Sequence, residues 1–572
     1  MSGFTEVFTG ASSTYVNVYI AIFRWVAPIL AVLLIFRCLK PLMTFRREPE
    51  IWAWLCFGDG TKMPVTHWEN VIGRHTSCDL VIDSATVSRN HAVLTRYDDG
   101  SWTIRDTDST SGVLVNQRRV NICAISPEDT ITLGGLDMKL QPISARQEKR
   151  LAELRTKASG IPDSFANLML LTVFQILSCI AILLSSEEGG DGVLLGFGGL
   201  ILFQWTMLTF NIVIRRTAFE LETIAFFLCT IGISAIGSVK PGEAGKQLVA
   251  IAIGIVAYLC VGWSLRDLER AKIVRRIAAV AGLAFLLVTF VFGEEYYGAK
   301  NWIQIGPISL QLSELSKVCF VYAGASTMDR LLNKKNIIFF IVYSVALCGC
   351  LALMNDFGTA LIFFFAFLII AFMRSGSFGT IGLACTSLGF AGVVALRIAP
   401  HALRRFSSWR NIWSDPLGAG YQQTKALMCI ASGGLLGLGP GRGWMKNVFA
   451  ADSDMVIATI SEEWGLIMAV LLLLCIIAFA VFSVRSAAIA RSSFYTIGAC
   501  TAAGIMLVQV ILNTLGTVDV LPLTGVTFPF VSNGGSSMIG AWGLLAFIKA
   551  ADTRQNASFA VPLQKRKGGS HE

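Results

Sequence analysis

Charged residues are scarce in this sequence. Asp, Glu, Lys and Arg make up 15% of its 572 residues and hydrophobic residues 54%, whereas soluble domains carry roughly 25% charged residues. Mean hydropathy is correspondingly high, at +0.62. Many apolar runs reach the ~20 residues that cross a bilayer as a helix. The scarcity of charge excludes an ordinary soluble protein and predicts a polytopic membrane protein.

The sequence also lacks disulfide and metal-binding patterns, a cleavable signal peptide and a nucleotide-binding motif. The 14 cysteines show no CxxC pair and no metal-type spacing, and most lie in apolar runs, so neither a disulfide framework nor a zinc site is expected. No cleavable signal precedes the first apolar run, which we interpret as a retained anchor. The glycine-rich run 433–443 lacks a preceding strand and the Lys-Ser/Thr ending of a P-loop, which argues against a nucleotide site. Its glycines are expected to pack backbone closely or to approach a ligand.

The net charge of +9 does not indicate a nucleic-acid partner, because Lys and Arg concentrate in short loops, as expected on the cytoplasmic side of a membrane. Thirteen spans are predicted. Their ranges are 17–39, 165–184, 191–213, 217–238, 245–263, 275–293, 312–331, 336–354, 357–373, 377–398, 455–484, 494–515 and 534–550. The charge bias places residues 45–145 in the cytoplasm. It places loops 185–191, 240–246, 294–311, 399–454 and 516–532 and the turn at Asp356 outside.

Residues 51–143 differ from the rest of the chain. Their hydrophobic runs have the length of strands and are separated by Asp-Asp-Gly, Asp-Ser-Thr-Ser-Gly and Gly-Gly turn signals. Several short strands at this spacing predict a β-sandwich. The expected organisation is an anchor (1–44), the β domain (45–145), a linker (146–164), two accessory spans (165–214), a helical core (215–552) and a basic tail (553–572).

Motifs within the β domain resemble the forkhead-associated (FHA) family. They are Gly73-Arg74, Ser88-Arg89-Asn90-His91, the run 106–112 and Val115-Asn116. The resemblance implies binding of a phosphothreonine protein. The residues it implicates are Arg74, Ser88 and Arg89 on the phosphate, His91 as a brace, and Thr110, Ser111 and Asn116 along the peptide. The fork of donors on Arg suits a dianion. The sequence departs from the family at Ser111, where the family usually has Asn. The alternative to phosphopeptide binding is a β-sandwich that serves only as a docking domain.

Carboxylates enter the apolar segment 455–484. Asp454 and Glu462 lie eight residues apart, so they share one helix face, with Glu462 about 12 Å deeper. Asp454 would then lie at the water interface, where a carboxylate can act as a base; the alternative is a helix cap. Glu462 would be embedded and need a partner, for which Lys317 is a candidate, and Glu463 would point about 100° away.

Two further acids lie near the outer ends of predicted spans. Glu314 and Lys317 are three residues apart on one helix face, and either neutralise each other or line a polar cavity. Asp356 lies at a tight turn, where it either serves the site or caps the next helix. The stretch 520–537 is irregular and apolar, which is tolerated at membrane depth only inside protein or along a cavity.

The loop 399–454 is basic and aromatic, with Arg404, Arg405 and Arg442 among its cations. Such a loop at a membrane surface suits an anionic lipid headgroup or a diphosphate. The alternative is an ordinary solvated loop.

Together these outward-facing stretches resemble the SEDS family, the shape, elongation, division and sporulation proteins of the RodA, FtsW and SpoVE kind. The matching stretches lie at 298–302, 311–317, 356–360, 415–421, 432–439, 454–465 and 522–537 and cover residues 217–550. Some positions depart from the family pattern. Residues 449–453 replace its Pro-Glu-x-His-Thr, Met354-Asn355 its Gln-Pro, Lys300-Asn301 its Arg-Arg, and Asn533 its Tyr.

The resemblance implies a polytopic α-helical membrane protein with about 13 transmembrane helices, a ten-helix SEDS core and an inserted all-β FHA sandwich. Family members polymerise lipid II into glycan strands at the outer face of the bacterial cytoplasmic membrane, beside a class B penicillin-binding protein. Asp454 falls on the family's essential aspartate and is the expected base. The residues expected around the substrate are Lys300, Trp302, Arg404, Arg405, Arg442, Glu314, Lys317, Glu462, Glu463, Asp356 and Ser536.

No cofactor is implied. A divalent cation, Mg²⁺ or Mn²⁺, between Asp454 or Asp452 and the lipid diphosphate is compatible with the chemistry, although no ligand cluster demonstrates it. Two other functions remain open from the sequence. One is a flippase for lipid-linked precursors that uses Glu314, Lys317 and Glu462 in a midplane cavity. The other is a non-catalytic scaffold that recruits a cell-wall synthase.

Overall fold

The computed structural model describes residues 13–44, 51–76, 78–97, 100–144, 146–147, 159–185, 190–266, 268–296, 299–305, 308–325, 334–375, 378–398, 409–487 and 492–554. Two predicted phosphate-binding cations of the long loop, Arg404 and Arg405, lie outside these ranges. Most of the predicted linker and nearly all of the predicted tail do so as well.

The β domain is a sandwich of two sheets, as predicted. Its strands are β1 (Ala53–Phe57), β2 (Lys62–Val65), β3 (Glu69–Gly73), β4 (Leu80–Val81), β5 (Ala92–Arg96), β6 (Trp102–Asp106), β7 (Val113–Val115), β8 (Arg118–Val120), β9 (Ile122–Ile125), β10 (Thr130–Leu133) and β11 (Leu136–Pro142). One sheet has the order β2-β1-β11-β10-β7-β8 and the other β4-β3-β5-β6-β9. Alternate residues such as Leu55, Leu94 and Ile131 face inward and form a core separate from that of the helices.

Fourteen helices form the rest of the described chain. They are α1 (Ser13–Met43), α2 (Ile161–Ser185), α3 (Gly190–Val213), α4 (Glu220–Val239), α5 (Ala244–Ser264), α6 (Leu268–Phe292), α7 (Leu312–Gly324), α8 (Lys334–Leu353), α9 (Phe357–Ser375), α10 (Phe378–Ile398), α11 (Tyr421–Gly433), α12 (Val456–Ala487), α13 (Ser493–Thr517) and α14 (Gly535–Ala550). A small antiparallel sheet joins α6 to α7. Its strands are β12 (Glu294–Tyr296), β13 (Ala299–Ile305) and β14 (Ile308–Leu310).

Ten helices among the described residues are long and apolar enough to cross a membrane, namely α1 to α6, α8, α9, α12 and α13. The other three predicted spans fall on α7, α10 and α14, which are not among the ten. The described part of α7 has 13 residues and α14 has 16, fewer than the ~20 that span a bilayer. Nearly every residue of α14 is buried among the other helices. Hydropathy therefore located these segments, and for α10 and α14 its bounds agree with the observed ones to within one residue.

The β domain contacts the bundle at the start of α13. The Glu69 carboxylate, at the start of β3, accepts hydrogen bonds from the hydroxyls of Ser492 at 2.8 Å and Ser493 at 2.7 Å. It also accepts from the Ser493 backbone N–H at 3.4 Å. A carboxylate at a helix N-terminus satisfies free N–H groups and favours the helix dipole. One end of α13 is therefore fixed to the β domain.

Helix α1, outside the ten-span core predicted from the sequence, packs against α12. Phe23 meets Trp464 edge to face, with ring centroids 5.4 Å apart. At the end of the bundle away from the β domain, the Arg442 guanidinium donates to the Asn17 side chain at 2.8 Å. The N-terminal anchor thus contacts both α12 and the glycine-rich loop that follows α11.

Helix α12 was expected to be continuous, but Gly465 breaks it with a φ of 84°. The backbone N–H groups of Leu438 and Gly439 donate to the carbonyls of Glu462 and Glu463, at 2.8 and 2.9 Å. The glycine-rich loop therefore satisfies backbone groups that the break releases. Of the two roles expected for its glycines, close backbone packing is the one that the structure shows.

We predict that Gly465→Ala destabilises the protein. Its φ lies in the left-handed region, and an added Cβ would approach the Leu435 carbonyl oxygen to 2.2 Å. The expected loss is roughly 2 kcal/mol or more of unfolding free energy, measured by thermal unfolding of the purified chain in detergent. Gly349→Ala in α8 is the control, because its Cβ would meet no atom within 4 Å. Equal melting temperatures for the two variants would contradict the claim that the backbone at position 465 requires glycine.

Candidate active site and phosphopeptide site

Asp454 lies in the turn just before α12 and is half-buried. Its backbone carbonyl accepts a hydrogen bond from the Asn513 side chain at 2.9 Å, and the same amide donates to the Val526 carbonyl at 2.8 Å. Asn513 is 20 residues along α13 from Ser493, which is about 30 Å at 1.5 Å per residue. Asp454 therefore lies at the end of the bundle opposite the β domain.

Glu462 and Glu463 are both buried in the first turns of α12. The Glu462 carboxylate accepts from the backbone N–H groups of Trp444 at 2.9 Å and Met445 at 2.8 Å. Glu463 accepts from the Ser238 hydroxyl and, at 3.3 Å, from the Gly443 N–H. The two acids thus hold the end of the glycine-rich loop, with backbone N–H donors on Glu462 and one backbone and one hydroxyl donor on Glu463.

The expected pairing of Lys317 with Glu462 is wrong. Lys317 instead pairs with Glu314 at 2.7 Å, and both side chains are buried. The i,i+3 spacing brings these two groups together within one turn, whereas Glu462 has its own backbone donors. Of the two expectations for this pair, the structure shows mutual neutralisation. Glu314, Lys317 and Glu462 therefore do not form the shared polar cluster that a flippase would use.

Asp356 and Ser536 each lie at a helix terminus. One oxygen of Asp356 accepts from the Thr359 N–H at 3.1 Å, which caps α9, and the other accepts from the Asn301 side chain at 3.1 Å. Capping, the alternative for Asp356, is thus what its contacts show. The Ser536 hydroxyl accepts from the Gln311 N–H at 2.9 Å, just before α7.

Two of the predicted cations, Lys300 and Arg442, are described by the structure, and they contact different elements. Lys300, on β13 with Trp302, donates to the Val291 carbonyl at 3.5 Å and lies 5.9 Å from the Phe290 ring centroid. Lys300 is therefore tied to the end of α6. Arg442 is exposed and contacts α1 as described above. Helix α11 lies within the segment predicted to be a long outer loop. It packs against α12, and its Lys425 ammonium lies 5.1 Å from the Trp444 ring centroid.

Sequence reasoning missed Lys240 and Asn513, which contact Asp452 and Asp454 respectively. Lys240 contacts Asp452, which is almost fully buried, at 3.1 Å. Asn513 sits in the apolar run of α13, and a polar amide inside such a run was a usable signal. Lys240 lies 212 residues from Asp452, so no local pattern could join them. Among the described residues, no three of the side chains of His, Cys, Asp and Glu cluster as metal ligands would.

In the β domain, the predicted phosphopeptide residues lie on neighbouring loops. Ser88 and Thr110 meet, with the Thr110 N–H donating to the Ser88 hydroxyl at 3.0 Å. His91 is fully buried beneath them. Its Nδ1 accepts from the Ser88 N–H at 3.1 Å, so its Nε2 donates to the Gly112 carbonyl at 3.0 Å. The imidazole thereby joins the two loops that would face a phosphate.

Other residues of this surface are exposed. The side chains of Arg74, Arg89 and Ser111 all face solvent. The Asn116 amide donates to Asp129 at 2.7 Å, and its oxygen accepts from the Thr130 N–H at 3.0 Å. The Ser126 N–H and this amide lower the pKa of the Asp129 carboxyl. Much of the hydrogen-bonding capacity of Asn116 is thus used within its own turn, and its role in holding a peptide stays a prediction.

The comparisons with known proteins agree with both parts of this architecture. The family model described as “Cell cycle protein”, FTSW_RODA_SPOVE, matches residues 233–557, and the model described as “FHA domain” matches residues 70–134. The first match covers more than half of the chain. The fold defines a polytopic membrane protein with an FHA sandwich. This chain belongs to the FtsW/RodA/SpoVE family.

Curated relatives carry names from all three branches. “Peptidoglycan glycosyltransferase RodA” of Mycobacterium tuberculosis is 28% identical over 332 residues, covering 55% of this chain and 71% of the relative. “Stage V sporulation protein E” of Bacillus subtilis is 30% identical over 320 residues, covering 52% and 82%. “Probable peptidoglycan glycosyltransferase FtsW” of Alkalilimnicola ehrlichii is 28% identical over 381 residues, covering 62% and 93%.

One solved structure supports the fold. It is described as “Structural coordination of polymerization and crosslinking by a peptidoglycan synthase complex”. The match has a TM-score of 0.50 and 24% identity, and it covers 58% of this chain and 96% of the other. At this level the similarity concerns the fold of the helical core alone.

We predict that Lys317→Met is strongly destabilising because it leaves the buried Glu314 carboxylate without its cation. The expected loss is about 3–5 kcal/mol of unfolding free energy. Adding Glu314→Gln removes the unpaired charge and should restore most of the lost thermal stability. A double variant as unstable as Lys317→Met would contradict an isolated pair and favour contacts with further groups in a polar cavity.

Proposed function

We propose that this protein is a peptidoglycan glycosyltransferase that polymerises lipid II at the outer face of the bacterial cytoplasmic membrane. The observation that carries the proposal is Asp454, a half-buried carboxylate at the end of the bundle away from the FHA domain. It falls on the family's essential aspartate. The nearby buried acids Asp452, Glu462 and Glu463 are engaged by cations or by hydrogen-bond donors.

In the proposed reaction, Asp454 accepts the proton of the acceptor sugar hydroxyl on an incoming lipid II. The hydroxyl oxygen bonds to the anomeric carbon of the growing glycan, and the bond from that carbon to undecaprenyl diphosphate breaks. The diphosphate leaves as a stable anion, so the leaving oxygen needs no strong acid. Cations would stabilise its charge, and the candidates from the sequence are Lys300, Arg404, Arg405 and Arg442.

A divalent cation fits this site only in part. Asp452 offers no open oxygen, because Lys240 and Asn533 contact its carboxylate. Asp454 supplies one carboxylate, and Mg²⁺ is often held by one or two carboxylates together with substrate phosphates. We therefore retain Mg²⁺ or Mn²⁺ only as an ion shared between Asp454 and the lipid diphosphate.

The test is polymerisation of purified lipid II by the full chain, with and without a class B penicillin-binding protein, the partner that we propose. Asp454→Asn keeps the shape of the side chain and removes the base, so glycan synthesis should fall by at least about 100-fold. Asp191→Asn, an exposed acid at the start of α3, is the matched control and should retain full activity. Full activity in Asp454→Asn would refute the assignment of the base, and an inactive wild type with its partner would favour the scaffold.

We further propose that the FHA domain lies in the cytoplasm and regulates the enzyme by binding a threonine-phosphorylated protein. Contacts at the two ends of α13 connect the FHA domain with the turn of Asp454. Strand β3 begins at Glu69, which holds the N-terminus of α13, and ends one residue before Arg74 in the phosphate-facing loop. The other end of α13 carries Asn513, which holds the turn of Asp454.

Binding of phosphothreonine peptides to the full chain in detergent tests this part of the proposal. Arg74→Ala removes an exposed guanidinium and should weaken binding of a phosphorylated peptide library at least about tenfold, since charge-assisted bonds to phosphate are strong. Lys139→Ala, an exposed cation on β11 in the other sheet, should bind like wild type. A wild-type chain that does not distinguish phosphorylated from unphosphorylated peptides would remove phosphothreonine regulation.

A further inference from the structure

The turn that carries Asp454 is fixed by donors from several elements. The carbonyl of Ala451 accepts from the Thr459 hydroxyl at 2.7 Å, and that of Ser453 accepts from the Ser532 hydroxyl at 2.6 Å. The carbonyl of Asp452 accepts from the Asn533 N–H at 2.7 Å, and that of Asp454 from Asn513. Four successive carbonyls are therefore held, and three of the four donors come from residues 513–533.

Asp452 is the one side chain of this turn that is fully buried and charged. Its relative exposure is 1%. Lys240 lies 3.2 and 3.1 Å from its two oxygens, and the Asn533 amide donates to one of them at 2.7 Å. A buried carboxylate is tolerated only when a cation and hydrogen bonds offset its loss of water. Asp452 thus depends on two residues that come from the α4–α5 connection and from the loop before α14.

The two partners of Asp452 differ in how they are held. The Asn533 amide also donates to Glu243 at 3.0 Å, so it joins the α4–α5 connection to the turn. The side chain of Lys240 is half-exposed and approaches the buried carboxylate from the solvent side.

The backbone of the turn is itself strained. Ala450 begins the turn with a φ of 60°, in the left-handed region that residues with a Cβ seldom adopt. The surrounding contacts must therefore hold the turn in this shape.

We propose that Asp452, Lys240 and Asn533 form a positioning cluster that fixes Asp454 for catalysis. Asp452 is a positioning residue, because its carboxylate is occupied inside the protein and does not reach a substrate. Lys240 neutralises it, and Asn533 ties it to the loop before α14. The cluster rests on the proposed function, since its effect is defined by the rate at which Asp454 acts.

The proposal predicts a split between kcat and KM in lipid II polymerisation by the full chain with its partner. Asp452→Asn keeps the shape of the side chain and removes the negative charge that pairs with Lys240. It should lower kcat about 10- to 100-fold with KM little changed, because a small misplacement of a catalytic group has effects of this order. Lys240→Arg keeps the cation and should retain most of the wild-type kcat.

A double variant separates positioning from substrate binding. Lys240→Met leaves a buried carboxylate unpaired, so its kcat should fall below that of Asp452→Asn. Adding Asp452→Asn removes that charge and should raise kcat back to the level of the Asp452→Asn single variant. If Lys240 instead binds the lipid diphosphate, Lys240→Met raises KM and the double variant stays as poor, which would overturn the proposal.

Lys246→Met is the matched control. Lys246 lies in the same α4–α5 region, is largely exposed and pairs at 3.6 Å with Glu243 at the surface. It should behave like wild type, and a loss of kcat equal to that of Lys240→Met would also contradict the cluster. If Lys240→Met fails to fold, Asn533→Ser tests the cluster through the other partner of Asp452, because it removes the amide donor and keeps the backbone N–H.

The outcomes separate this inference from the proposed function. A wild-type chain that makes no glycan with its partner defeats the proposed function itself. An active wild type in which Asp452→Asn and Asn533→Ser both keep the wild-type kcat defeats only the positioning cluster. Thermal unfolding of each variant in detergent shows whether a loss of kcat reflects the site or the whole fold.

Discussion

Burying carboxylates among apolar helices is the constraint on which much of this structure depends. An ionised carboxylate taken out of water costs several kcal/mol unless a partner offsets it. In the part of the chain that the structure describes, each buried acid of the bundle has such a partner. The cation pairs are Lys549 with Glu222 at 3.0 Å, Lys317 with Glu314 at 2.7 Å, Lys240 with Asp452 at 3.1 Å, and Arg554 with Glu220 at 3.3 Å and with Asp552 at 2.7 Å.

The two kinds of partner have different consequences for the fold. Cations join segments that are far apart in sequence, as Lys549 does when it closes α14 onto Glu222 of α4. Backbone donors shape irregular chain instead, as at Glu462 and Glu463, which take up N–H groups of the loop after α11. That loop in turn satisfies the backbone groups released by the break at Gly465. Irregular backbone can therefore sit beside α12 without leaving its polar groups unpaired.

Short-range patterns in the sequence correctly predicted the features that depend on neighbouring residues. Apolar runs indicated the helices, turn residues indicated the strands, and the i,i+3 spacing of Glu314 and Lys317 allowed for their pairing. The partner of Glu462 was predicted wrongly, because several distant segments compete for a buried acid and no sequence pattern ranks them. Hydropathy also cannot predict the positive φ of Gly465. Helix α11 was missed because its loop was judged by charge, although the helix buries Ala426 and Cys429 together with two polar side chains.

Two of the positions that depart from the family pattern are in contact with each other. The family's usual histidine and tyrosine are replaced by Asp452 and Asn533, whose side chains meet at 2.7 Å. A buried Asp452 beside a tyrosine would have one hydroxyl donor at most, whereas an amide supplies two N–H groups. One such amide reaches both Asp452 and Glu243. The side chains at these two positions are thus joined physically, and Lys240 provides the positive charge that the buried Asp452 carboxylate needs.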